Sequence, residues 1–230
     1  MTSQEMSLEF DILYNNIASN MAPGIDEYEK SVFLTKAQEQ LVTAIYDGSF
    51  EGSEKLRECI NPLVHTIELN SSDGVQDETG VAPDSIFFTF PSDAWYIVYE
   101  KLNVISSTDK CSEGRQVSVK PVLVDEYNRI KNNPFRRARK TEALRLNSEG
   151  MIELIVPSEF TEYKYVLRYI RKPQPIIIGT GDSSLTINGV STENDSNYDG
   201  QGSELLDAIH RTIVETAVTL AIAAYKSTNN

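Results

Sequence analysis

A change of hydrophobic period limits this chain more than any other feature. Near both ends, apolar residues recur every three to four positions. Between the ends they alternate or gather in short β-branched and aromatic runs. In the opening stretch Phe10, Leu13, Tyr14, Ile17 and Met21 make one helical stripe, entered through the capping-box pattern "TSQE" at 2–5. "APGID" at 22–26 breaks it. Asp26 with Glu29 repeats the capping logic for a second helix to about Tyr46, with Phe33, Ala37, Leu41, Ala44 and Ile45 on its inner face. So short a break predicts that the two helices pack as a hairpin. At the far end, Ser203 is placed to cap a long helix with the stripe Leu206, Ile209, Ile213, Ala217, Leu220 and Ala224. Glu204 and Asp207 suit its positive end, and Lys226 its negative end.

The middle predicts strands: "SIFFTF", "WYIVYEKLNVI", "QVSVKPVLV", "EALRL", "MIELIVP" and "YKYVLRYI". Val117, Val119 and Leu123 alternate with polar residues. Pro121 donates no ladder hydrogen bond, which predicts an edge or bulged strand. A short helix is expected near 125–132. Asn188–Gly189, between Ile187 and Val190, predicts a tight hairpin. Residues 70–83 and 191–203 are rich in Ser, Asn, Asp and Gly and read as mobile loops. The expected fold class is therefore α+β. Two N-terminal helices and a long C-terminal helix (1–50 and 203–230) form a helical bundle. An antiparallel β region (51–202) is inserted between them.

The chain of 230 residues can bury a sizeable core. It holds 34 Asp and Glu against 21 Lys and Arg, a formal net charge of −13. That balance argues against coating the phosphates of nucleic acid, which needs many cations. It suits a wall that DNA passes without sticking. Against this background "NNPFRRARK" stands out, with Arg136, Arg137, Arg139 and Lys140 on a segment stiffened by Pro134 and anchored by the ring of Phe135. It reads as a solvated surface, an intersubunit contact, or a contact to DNA. Tyr163, Tyr165 and Tyr169 share one strand face, either an interface or a half-buried sheet face.

No catalytic site is legible. The sequence has no G-x-x-x-x-G-K-[ST] and no H-E-x-x-H. "GTGDSS" at 179–184 lacks the glycine spacing of a nucleotide-binding turn. His65 reads as a strand side chain and His210 as a boundary or interface histidine. Cys59 and Cys111 make neither a disulfide framework nor, with His65, a zinc site, and fit synthesis in a reducing compartment. No apolar run nears the ~20 residues that span a bilayer, and the polar, acidic N-terminus is neither a secretory signal nor a transit peptide.

Four stretches carry a family resemblance. "FDILYNNIASNMAPGIDEYEKSVFLTKAQEQLV" resembles the opening of head–tail connector proteins of short-tailed bacteriophages, most closely the ring and adaptor proteins of crAss-like phages. "YNRIKNNPFRRARK", "YKYVLRYIRKPQPIII" and "SELLDAIHRTIVETAVTLAIAAY" resemble later segments of the same proteins in the same order. His210 stands where the family commonly has a histidine, and Ser203 where a cysteine is expected. The resemblance implies a homo-oligomeric, twelvefold ring beneath the portal. The ring would join tail to head and surround the DNA exit channel. The implied partners are the portal, other connector or tail proteins, and double-stranded DNA that passes without sequence-specific binding. It implies a virion protein made in the host cytoplasm and does not imply catalysis or a cofactor; no metal site and no membrane partner are expected. Another tail-tube or lower-ring component, or a binding or regulatory protein outside the virion, stays open.

Overall fold

The computed structural model describes residues 1–17, 24–50, 54–76, 80–83, 85–148, 150–179, 186–191 and 200–228. The chain divides into two compact units. One comprises Met1–Leu63 with Lys172–Asn230, the other Val64–Arg171.

The first unit holds α1 (Ser3–Ile17), α2 (Glu27–Tyr46), a one-turn α3 (Glu54–Arg57) and α5 (His210–Thr228). Both capping boxes expected from sequence form. The Glu5 amide donates to Thr2 Oγ1 at 3.2 Å, and the Glu29 amide to Asp26 Oδ1 at 2.7 Å. The hairpin expected of the first two helices does not form. α5 packs against both α1 and α2, which barely meet, and Lys30 Nζ bridges them by an ion pair to Asp11 at 2.6 Å. The physical reason lies in α5, whose small and branched residues Ile213, Val214, Ala217, Val218 and Ala221 are buried and let two helices approach it. α5 also begins later than Ser203 suggested. Ser203 Oγ donates to Gln38 Oε1 at 2.6 Å, and Leu206 stays half exposed.

α2 buries a polar row that the apolar stripe did not reveal. Ser31, Thr35 and Gln38 lie under the extended segment 174–178 and take its backbone groups. The Ile178 amide donates to Ser31 Oγ at 2.9 Å, and Gln38 Nε2 donates to the Gln174 carbonyl at 2.8 Å. The other edge of that segment pairs with Gln201 through Ile177. Gly200 is required there, since a Cβ would lie 2.3 Å from the Ile177 carbonyl and its φ is +82°. The Asn188–Gly189 hairpin forms between β8 (Thr186–Ile187) and β9 (Val190–Ser191), with φ of 51° and 83° at its two central residues.

The second unit is a seven-stranded sheet in the order β1-β7-β3-β4-β5-β6-β2. Its strands are β1 (Val64–Asn70), β2 (Ser85–Thr89), β3 (Ala94–Ser107), β4 (Gln116–Pro121), β5 (Glu142–Ser148), β6 (Met151–Ile155) and β7 (Phe160–Arg171). The antiparallel expectation needs one correction. β4 and β5 run parallel, joined by a crossover containing α4 (Val124–Ile130). Nor is β4 an edge. Pro121 is tolerated because β3 pairs only as far as Ser118, so the missing donor faces no partner strand.

The sheet curls. Phe88 on edge strand β2 lies 5.9 Å, centroid to centroid, from Tyr165 on β7. In a flat sheet those strands would stand about 24 Å apart. Bulges along the β3–β7 pair supply part of the bend. The chain leaving β1 completes it, because Val75 bridges to Phe87 of β2. Inside the roll are Phe88, Leu102, Val117, Ile152, Leu154, Tyr163, Tyr165 and Leu167. Outside it, α4 packs Tyr127 and Ile130 over Leu144, Leu146 and Ile155. Of the two expected loops, the described part of 70–83 includes a 3-10 turn (Ser71–Asp73) and the Val75 bridge. Residues 77–79 and 192–199 lie outside the described residues.

Candidate assembly surface

The β4–β5 crossover positions the basic segment. α4 ends at Ile130, and Asn133 then turns the chain. Its Oδ1 accepts from the Phe135 amide at 3.0 Å, and its carbonyl accepts from the amides of Arg136 and Arg137 at 3.1 and 3.0 Å. Two backbone hydrogen bonds between Arg139 and Glu142, both 2.8 Å, close a second turn into β5.

The four basic residues divide into two pairs. Arg139 reaches Glu142 at 3.1 Å, and Lys140 reaches Asp109 at 2.7 Å and Glu159 at 3.3 Å. The hydrogen bond from Lys140 holds the Asp109 carboxyl below the usual carboxylate range, while Asp109 and Glu159 push Lys140 up. These two residues pin the segment to its own unit. Arg136 and Arg137 are exposed and form no ion pair with a described residue. Phe135 is not the anchor expected of it. Its ring is 79% exposed, and Ala138 is the residue that packs on the outer core. The two turns leave an exposed aromatic ring and two exposed arginines on a braced knob. Beneath it runs a groove of about 470 Å³ whose lining includes Tyr127, Lys131, Arg137, Lys140, Val156 and Glu159.

The tyrosine face lies elsewhere. Tyr163, Tyr165 and Tyr169 are 1%, 0% and 5% exposed and fill the inside of the roll. The curl that covers them was not visible in strand alternation, and it removes them from any outer interface of this chain. Burial pushes the phenols of Tyr163 and Tyr165 well above their ordinary value. Near them Arg145 Nε meets Glu100 Oε1 at 2.8 Å, with both side chains over nine-tenths buried. Burial raises the Glu100 carboxyl above its usual range, and Arg145 pulls it partway back.

The two histidines lie in different units. His210 is buried, with Nε2 2.8 Å from the Leu205 carbonyl. His65 is exposed on β1 and accepts from Arg171 Nε at 3.1 Å. Cys59 is buried and Cys111 exposed, both as free thiols. Among the described residues, no three His, Cys, Asp or Glu cluster to hold a metal, and no helix is long and apolar enough to cross a membrane. Residues 180–184 of "GTGDSS" lie outside the described residues.

Comparison with known proteins gives matches over the whole chain. The model of a family described as phage tail ring protein 3/4 matches residues 1–230. Ring protein 3 of Bacteroides phage crAss001 is 41% identical over 230 residues, covering 96% of this chain and 95% of that protein. Ring protein 4/5 of the same phage is 34% identical over 248 residues, covering 98% and 94%.

Proposed function

We propose, from the premise that this chain belongs to the phage tail ring protein 3/4 family, that it forms a closed ring in the head–tail connector. The ring is homo-oligomeric and twelvefold. It sits beneath the portal, joins the tail to the capsid and surrounds the DNA during retention and ejection. Its chemistry is passive: it holds neighbours together and lets DNA pass.

The observation that carries this reading is the knob. A chain of net charge −13 exposes Phe135, Arg136 and Arg137 together on a segment that Arg139 and Lys140 fasten down. Arginine forks bind carboxylates in pairs and shed hydration more readily than lysine. Burial in a repeated contact would raise their worth above that of an exposed pair. The acidity of the remaining surface fits a channel from which DNA slides free.

Reversing Arg136 and Arg137 to Glu tests the reading on particles without DNA. The reading expects the ring to fail to dock on them. Normal docking on empty particles, with loss only of genome retention or release, would instead make the knob a DNA contact.

A further inference from the structure

The geometry of α4 points to the surface that receives the knob. We infer that Phe135, Arg136 and Arg137 of one copy seat in a cleft at the other end of α4 on a second copy of this chain. The inference rests on the ring reading above and supplies its missing half.

The cleft, of about 240 Å³, is lined by Pro121, Leu123, Val124, Glu126, Arg145 and Asn147. An enclosed cavity of ~150 Å³ holds a benzene molecule, so this open cleft has room for a phenyl ring. Leu123 is 72% exposed and Val124 46% exposed, an apolar rim that α4 leaves uncovered. Asp125 and Glu126 follow in the first turn of the helix. Arg145 does not cancel them, because its guanidinium is already bound to buried Glu100. The cleft thus offers the Glu126 carboxylate beside two aliphatic side chains, with Asp125 next to it on the first turn of α4. The knob offers two guanidinium groups beside one aromatic ring.

Leu123 adds an independent sign. It occupies the N-cap position of α4, with no side-chain cap hydrogen bond. Ser, Thr, Asp or Asn there would satisfy a first-turn amide. A leucine does nothing for the helix and leaves a large apolar side chain in water, as a docking surface requires.

A second copy is the fitting occupant because both halves belong to one chain. Knob and cleft flank a helix about 10 Å long and are different patches of the same unit. A contact between unlike patches repeats from copy to copy until the rotation closes a ring. Buried aromatic and arginine anchors of this kind carry most of the energy of a protein contact.

The test uses phage lacking this gene and complemented with full-length variants. The unmodified chain enters particles. Arg136→Glu with Arg137→Glu is expected to lower its particle content at least tenfold. Adding Asp125→Lys and Glu126→Lys to that variant is expected to restore entry, because every reversed knob then meets a reversed cleft. Normal entry of the first variant overturns the inference. So does continued exclusion of the fourfold variant when its melting matches the unmodified chain. If the reversals unfold the chain, Phe135→Cys with Leu123→Cys in a Cys111→Ser chain replaces them. Oxidised particles should then give a ladder in multiples of 25.8 kDa, and chains that enter but stay single overturn the seating. Absence of even the unmodified chain from particles defeats the ring reading itself, which separates that failure from a failure of the seating.

Discussion

Thr35 holds both backbone groups of Ile176. Its Oγ1 accepts from the Ile176 amide at 3.1 Å and donates to the Ile176 carbonyl at 3.3 Å. One helical hydroxyl thereby replaces a neighbouring strand for a buried extended segment. Thr35→Val keeps the shape and strands both groups, at ~1–3 kcal/mol each. Urea denaturation of the purified chain should show a loss of about 3 kcal/mol, against about 1 kcal/mol for Thr35→Ser, which keeps the hydroxyl and loses a methyl.

Closure of the roll depends on Gly74. A Cβ there would lie 2.1 Å from the Ile86 methyl Cγ2 and 3.1 Å from the Phe88 ring. Ile86 is β-branched and cannot swing clear. Gly74→Ala is therefore expected to cost about 1–3 kcal/mol and to speed hydrogen exchange at Val75 and Phe87, whose backbones pair there. Unchanged exchange at both amides would mean that the bridge does not hold the sheet edges together.

The Glu100–Arg145 pair gives a pH signature. The folded-state carboxyl titrates above its unfolded value. The folded state thus holds that proton more tightly, and this group's contribution favours folding at low pH and weakens as pH rises through the folded value. Arg145→Leu removes the counter-charge from a buried carboxylate, at a cost of about 3–5 kcal/mol near pH 7. Part of that loss should return at lower pH, because burial without Arg145 favours the protonated Glu100 carboxyl still more. Denaturation at neutral and at lower pH checks this, and an equal loss at both would contradict it.

Sequence showed the caps of α1 and α2 and the Asn188–Gly189 turn because these are local. Each depends on residues within four positions. It also showed that the chain changes from helix to strand and back. It did not show that β4 and β5 run parallel, since strand direction is set by where a crossover lands. It placed Tyr163, Tyr165 and Tyr169 on one face but could not say that the sheet curls over that face. Ser31, Thr35 and Gln38 were hidden for a different reason. A polar row on a helix reads as a wet face unless its backbone partner, some 140 residues away, is known. The basic segment was visible as charge. The split between pinned Arg139 and Lys140 and the exposed Arg136 and Arg137, which pair with no described residue, depends on the fold, as does the exposure of Phe135.

That split makes opposite expectations for stability and assembly. Phe135→Ala, Arg136→Ala and Arg137→Ala should leave the melting temperature of the isolated chain unchanged, because none supports the core. Lys140→Gln should quicken hydrogen exchange over residues 135–142 by releasing the segment from Asp109 and Glu159. Protection that survives Lys140→Gln would show that the backbone turns alone hold the knob.

The most direct measurement is a cryo-EM reconstruction of the intact phage along its portal–tail axis. The account expects copies of this chain in a closed ring below the portal. Phe135, Arg136 and Arg137 of each copy should lie against Leu123, Asp125 and Glu126 of the next. A particle in which this chain is absent from that axis would contradict the account, as would a ring whose knobs face open solvent.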